Sequence, residues 1–258
     1  MTPVFGVVIK AASGLSLYAN RIQGLTQGGI APISGTDPVT GLPLPVINAN
    51  QALPPFKSTQ YEVGGKLRVG RVNASLAAYQ IEQPRSFAAP DPNAPGFLRF
   101  DSFGEQRNRG IEFSVDGEVT RGLRLIAGAS ILDAKLRNTG IAAQVGNKTP
   151  GVPDYLLNGN VEWDVPFAPA PALTVTGRVV RTGKQKVDAA NTLQIPAWTR
   201  VDLGLRYVAI VAERPLTLRF NVDDIANERY WASSFDQFAP QLLQGQPRTY
   251  KLSASVDF

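Results

Sequence analysis

The 258-residue sequence has no cysteine, no histidine and a single methionine. Without histidine, neither a Ser-His-Asp triad nor a Cys-His pair can be assembled. Without histidine and cysteine, the usual protein ligands of zinc and iron are also missing. There are no disulfides to read, which is compatible with a periplasm-facing or cell-surface chain. The sequence offers no S-x-x-K for a Ser–Lys nucleophile. It has no G-x-G-x-x-G or G-x-x-x-x-G-K-[ST] loop to cradle a phosphate. These absences point away from an enzyme, a resident metal and a bound cofactor.

Long apolar runs are missing too. A membrane-spanning helix needs about 20 consecutive apolar residues, and the mean hydropathy is only −0.08. A transmembrane β-barrel escapes that test, because only alternate residues face lipid. The net charge is +5, yet lysine and arginine are scattered singly, so no basic patch suggests a nucleic-acid partner. Met1 runs straight into Thr2-Pro3-Val4-Phe5, without the basic and apolar regions of an export signal. The expectation is a portion of a protein that lacks its natural start.

What is present is an alternation of period two. Tyr61, Val63, Leu67 and Val69 interleave with Glu62, Lys66 and Arg68. Leu157, Val161, Trp163 and Val165 interleave with Asn158, Asn160, Glu162 and Asp164. Val201, Leu203, Leu205 and Tyr207 interleave with Asp202 and Arg206, and Tyr250, Leu252, Ala254, Val256 and Phe258 with Lys251, Ser253, Ser255 and Asp257. Successive strand residues point to opposite faces, so each segment has one apolar and one strongly polar face. A soluble β-sandwich shares this pattern. Segment length separates the two, since soluble strands centre on about 5–6 residues and tilted membrane strands need about 9–11. The segments here run to the longer value, and about eleven can be placed.

The connections alternate in length. Residues 11–14, 70, 120–122, 166–171 and 209–215 form short turns; residues 28–55, 85–96, 138–153, 186–194 and 233–245 form long loops. Short turns on one rim and long loops on the other is the pattern of outer-membrane barrels, with the long loops outside the cell. Aromatic residues gather near segment ends. Trp163, Phe167, Trp198, Tyr207 and Phe258 are therefore expected at the lipid headgroup level, where an apolar ring keeps a polar edge wet. Leu203 is expected to face lipid, and Asp202 the lumen. Acidic residues crowd the run 221–228, but no glycine stands at the sixth position of a calcium loop. A solvated strand end accounts for them, and Glu162 and Asp164 read as part of a lumen-facing polar ladder.

Several stretches resemble the late barrel strands of TonB-dependent siderophore receptors. They are Gly104-Glu105-Gln106-Arg107-Asn108-Arg109-Gly110, Gly122-Leu123-Arg124-Leu125, Gly151-Val152-Pro153, Ile195-Pro196-Ala197-Trp198, Asn221 through Trp231, and the ending Pro247 through Phe258. They occur in the family's order over nearly the whole chain. The resemblance implies an all-β, antiparallel, up-and-down transmembrane barrel in the bacterial outer membrane. Residues 1–258 would be its C-terminal part, contributing about 11 of ~22 strands. It implies uptake of a ferric siderophore, energised by the TonB protein, with a plug domain that this sequence does not contain. It also implies that the barrel assembly machinery reads the final strand, which ends at Phe258. Ligand contact is then expected around the last long loop, from Tyr230, Trp231, Phe235 and Phe238, with Arg229 and Arg248 attracting an anionic chelate. A girdle role for Tyr230 and Trp231 competes with this. A passive porin-like barrel and a soluble β-sandwich binding module are the rival functions.

Overall fold

A computed structural model describes residues 2–37, 40–166, 173–236 and 240–256. The alternating segments become eleven antiparallel strands: β1 Val4–Ala12, β2 Leu15–Thr26, β3 Phe56–Val69, β4 Val72–Pro90, β5 Leu98–Thr120, β6 Leu123–Asn138, β7 Tyr155–Asp164, β8 Leu173–Thr182, β9 Trp198–Val211, β10 Arg214–Asp223 and β11 Thr249–Val256. Each pairs only with its neighbours in sequence, so the sheet is an up-and-down meander with β1 and β11 at its edges, and it is not closed. Three two-stranded ladders decorate the long connections: Ser34–Thr36 with Pro43–Pro45, Gln185–Lys186 with Gln194–Ile195, and Trp231–Asp236 with Pro240–Gln244.

The tight turns follow from local chemistry. Gly14 and Gly122 take positive φ, of 80° and 78°, where glycine carries no Cβ penalty. The β9–β10 turn instead places Ala212 at φ 50° and Glu213 at φ 64°. That is the two-residue hairpin geometry for which Asn-Gly is preferred.

Two strands exceed the expected length. β4 and β5 pair from Val72–Gly117 up to Pro90–Leu98, through a bulge between Arg85 and Phe87. Much of the stretch 85–96, expected as a loop, is therefore hairpin. A ladder that continues into water loses nothing, because its backbone groups are already paired.

The register draws the membrane boundary. On one face of β2 to β6, Ala19, Val63, Ala78, Ile111 and Ile131 stand side by side. Two residues nearer the long loops, Arg21, Tyr61, Gln80, Arg109 and Asp133 form the next row. The face thus changes from apolar to polar in one step. Below it, no protein covers the apolar side chains: Val63 is 59% exposed, Leu203 44% and Leu252 80%. Lipid is the medium that would cover them.

The opposite face carries charge. Arg124 makes a two-pronged ion pair with Asp164, at 3.0 and 2.9 Å, and reaches Glu162 at 3.3 Å. Arg206 lies 3.5 Å from Glu162, and the Thr174 hydroxyl donates to Asp164 at 2.7 Å. This is the lumen-side ladder expected of Glu162 and Asp164. Farther along the same face, Tyr18 lies over Gly64 and donates to Glu62 at 2.5 Å. A Cβ at residue 64 would meet the ring at 2.7 Å, so glycine is what lets the tyrosine lie flat.

Among the described residues, the buried apolar side chains are Ala31, Val46, Leu98, Ala134, Leu136, Val187 and Ile195. All belong to the long connections or to the strand ends beside them. The loops face water and must hide their own apolar groups, whereas the membrane strands have lipid for that purpose.

The loop cap as candidate functional site

Three long loops are tied into one body. Asn191, at φ 60°, donates from its side chain to the Lys148 carbonyl at 2.9 Å, and its side-chain oxygen accepts the Lys148 amide at 2.9 Å. Asn147 donates to the Ala189 carbonyl at 2.9 Å. These bonds join loop 139–154 to loop 183–197. The Ser234 hydroxyl donates to the Lys186 carbonyl at 2.9 Å, and the Gln185 amide to the Ala232 carbonyl at 3.3 Å, which docks the hairpin of loop 224–248 onto the same body. A second body forms where loop 27–55 meets the β4–β5 hairpin. There Asn48 exchanges two hydrogen bonds with the Phe100 backbone, at 2.8 and 2.9 Å, above the Ala31–Val46–Leu98 core.

Inside loop 183–197, Asp188 accepts the Leu193 amide at 2.8 Å, the Thr192 hydroxyl at 2.7 Å and the Thr192 amide at 3.2 Å. Partial burial works against its ionisation. The hydrogen bonds from Leu193 and Thr192 outweigh that and hold the carboxyl below the usual carboxylate value.

The residues expected to meet a ligand separate into two groups. Trp231 and Phe235 sit on the docked hairpin and are 42% and 46% exposed; Arg229 is exposed beside them. Tyr230 is half-buried and stacks on Trp198, with centroids 4.4 Å apart and planes at 26°. Arg248 serves the fold. Its guanidinium donates to the carbonyls of Ile225 at 2.6 Å and Asp224 at 3.4 Å, and its amide binds Asn227 at 3.1 Å. It closes the root of loop 224–248, so attracting a chelate is not its first task. Phe238 lies outside the described residues.

The expected girdle also divides. Trp163 and Tyr207 stand on the apolar face near the short turns, 43% and 41% exposed. Trp198 does not join them. It falls in the even-numbered series of β9 with Arg200 and Asp202, stacks on Tyr230, and donates to the Ala232 carbonyl at 3.3 Å. The stack with Tyr230 and the bond to the hairpin give the ring a protein environment in place of a headgroup one. Phe167 and Phe258 lie outside the described residues. Alternation missed two rim pairs on the apolar face: Arg21 with Tyr61, whose hydroxyl accepts at 3.2 Å, and Arg181 with Tyr155, at 3.0 Å. The signal was present, since an arginine on an otherwise apolar series marks the point where lipid ends.

The acidic run 221–228 is structural. Asp223 pairs with Lys251. Asp202, 8% exposed, accepts the Asp224 amide at 2.8 Å and the Arg200 guanidinium at 2.9 Å. Asp224 itself is 1% exposed. Asp202 thus faces the lumen side as expected, but as a pinned buried carboxylate and not as a solvated one.

An open meander with an apolar outer band, a charged inner face and a water-exposed loop cap is a section of an outer-membrane β-barrel. The particular family follows from its relatives. Residues 1–225 match the family model described as TonB dependent receptor-like, beta-barrel, and the chain belongs to that family. It is 41% identical over its whole length to the ferrichrome receptor FcuA of Yersinia enterocolitica, and covers 32% of that protein. It is 27% identical to the metal-pseudopaline receptor CntO of Pseudomonas aeruginosa, covering 33% of it. The crystal structure of BauA, the ferric preacinetobactin receptor of Acinetobacter baumannii, superimposes with a TM-score of 0.84 at 36% identity, over all of this chain and 36% of that one. The chain therefore spans about a third of the length of the relatives it matches. These relatives are receptors of the bacterial outer membrane and not enzymes, and the chain is a partial barrel of the same kind.

Proposed function

We propose that residues 1–258 form the C-terminal part of the barrel of a receptor that takes up ferric siderophores, energised through TonB. The observation that carries this reading is the family match over residues 1–225 together with relatives named for ferrichrome and ferric preacinetobactin. The rest of such a receptor supplies the remaining strands, which pair with the free edges of β1 and β11, and a plug that meets the charged inner face. Lipid covers the apolar face, and the assembly machinery engages the terminal strand. The chelate meets the exposed aromatic side chains of the hairpin, Trp231 and Phe235, with Arg229 beside them and Tyr230 fixed behind.

The test is Trp231→Ala and Phe235→Ala in the full-length receptor. Truncation of a buried aromatic contact costs about 1–2 kcal/mol or more in binding, so ferric-siderophore affinity should fall about tenfold while the unfolding transition stays put. Unchanged affinity in both variants removes this hairpin from the site. Uptake that persists without TonB would favour the passive, porin-like reading.

A further inference from the structure

The apolar face of the sheet does not end alike at its two rims. Toward the short turns its series close on Leu67, Val69, Trp163 and Tyr207. Toward the long loops they close on basic residues. Arg21, Tyr61, Gln80 and Arg109 form the first polar row across β2 to β5, and Glu82, Arg107 and Lys135 stand in the row beyond it on β4 to β6. Neighbouring strands lie about 4.8 Å apart, and alternate residues about 7 Å. From Arg21 to Lys135 the basic positions therefore cover about 19 by 7 Å directly above the apolar band. That is an extended site and not the seat of one small ion.

Little of this charge is neutralised within the fold. The Arg21 Nε donates to the Tyr61 hydroxyl at 3.2 Å, and the Arg109 Nε to the Gln80 side-chain oxygen at 2.5 Å. Both partners are neutral. Each holds its guanidinium by one edge, and the terminal nitrogens make no hydrogen bond among the described residues. Gln80 donates in turn to Glu82 at 2.8 Å. Arg107 stands between Glu82 and Lys135 in the register, yet forms no ion pair among the described residues, and its Nε is buried without a partner. Lys135 lies 3.6 Å from Asp133. Across the two rows, four cations meet two carboxylates, Glu82 and Asp133.

The lipid that covers the apolar face brings its headgroups to this height. A guanidinium fixed along one edge still offers parallel N–H donors, which match a phosphate. Basic side chains here lay their stems along the acyl chains and keep their heads in the polar layer. The short-turn rim has no such row, so the partner belongs to one leaflet and not to both. We propose that Arg21, Arg107, Arg109 and Lys135 bind the phosphate-bearing headgroup of a membrane lipid in the leaflet around the long loops. This site lies on the lipid side of the sheet, opposite the lumen, and is independent of the chelate that the receptor carries.

The full-length receptor in a nonionic detergent is titrated with diphosphoryl lipid A, with its dephosphorylated form and with inorganic phosphate, and bound lipid is measured by native mass spectrometry. Wild type should prefer the phosphorylated lipid. Arg107→Gln with Arg109→Gln should weaken its binding at least about tenfold, the scale of two basic contacts at an anionic membrane surface. Arg107→Lys with Arg109→Lys should keep most of the affinity. Glu82→Gln removes the carboxylate opposite Arg107 and should raise the affinity, a gain that no folding defect in the glutamine pair can imitate. Arg178→Gln, which removes one charge from the lumen face, should change nothing. Equal binding of the two lipid forms by wild type, unchanged affinity in the glutamine pair or in Glu82→Gln, or an equal loss in Arg178→Gln overturns the proposal. Inorganic phosphate that binds as tightly as the lipid also overturns it, because the row would then hold a free anion.

Discussion

Replacing Leu203 by arginine tests the membrane reading most directly. The apolar series of β9 runs Val201, Leu203, Leu205, Tyr207, Ala209, Val211; between Thr199, level with Arg181, and Tyr207 near the short turn, Leu203 is the centre. At about 3.4 Å per residue and a tilt of about 40°, Thr199 to Tyr207 spans about 21 Å of depth, close to the apolar band of about 25 Å. Leu203 then lies about 10 Å from either end, at the midplane. Its row in the sheet is Val161, Gly177, Leu203, Val222, Tyr250, which offers no carboxylate to pair with a new guanidinium. Leu203→Arg should therefore destabilise by about 2–4 kcal/mol, and Tyr207→Arg, at the rim, by about 0–1 kcal/mol. Equilibrium unfolding of the full-length receptor in lipid vesicles measures both. Equal costs at the two positions, or a neutral Leu203→Arg, would refute the assignment of this face to lipid.

Acidification should loosen loop 183–197. The Asp188 carboxyl is held below its usual value, so its contribution is present above about pH 4 and is lost as the pH falls through its lowered value; amide exchange at Leu193 should accelerate there in the wild type and lose that pH dependence in Asp188→Asn. At the β9–β10 turn, Ala212→Asn with Glu213→Gly should raise stability by about 1 kcal/mol, because both positions have positive φ; an unchanged or lowered unfolding midpoint would contradict that geometry. Loop 27–55 should be extracellular: Leu42→Cys, at a position 62% exposed, should react with an impermeant thiol reagent on intact cells, and Ser13→Cys should not.

The eleven strands, their sequential pairing and the rims with short and long connections were legible in the sequence. Period two is a local property, and a tilted strand with lipid on one side and a wet lumen on the other writes it into every second residue. The strand ends were less legible, since β4 and β5 run on past the bilayer where polar residues can occupy both faces. The acidic run 221–228 was read as solvated, but the fold buries Asp224 beneath its own loop and binds Asp202 to its amide. With Arg200 and the Asp224 amide both bound to the Asp202 carboxylate, Asp202→Asn should cost about 1–3 kcal/mol.

By itself, then, the sequence determined the fold class, the outward apolar series such as Val201–Leu203–Leu205, and the rim of the sheet that carries the long connections. Each of these is decided between a residue and its near neighbours in the chain. Only the tertiary structure decided that Trp198 stacks on Tyr230, that Arg248 closes a loop root, that Asn191 locks loop 183–197 to Lys148, and that Phe87, Leu136 and Ala189 wall one cavity. These contacts join residues from different connections, where no repeating pattern relates position to direction. Loop packing depends on which surfaces meet, and that is settled only once the strands have set the distance between their ends.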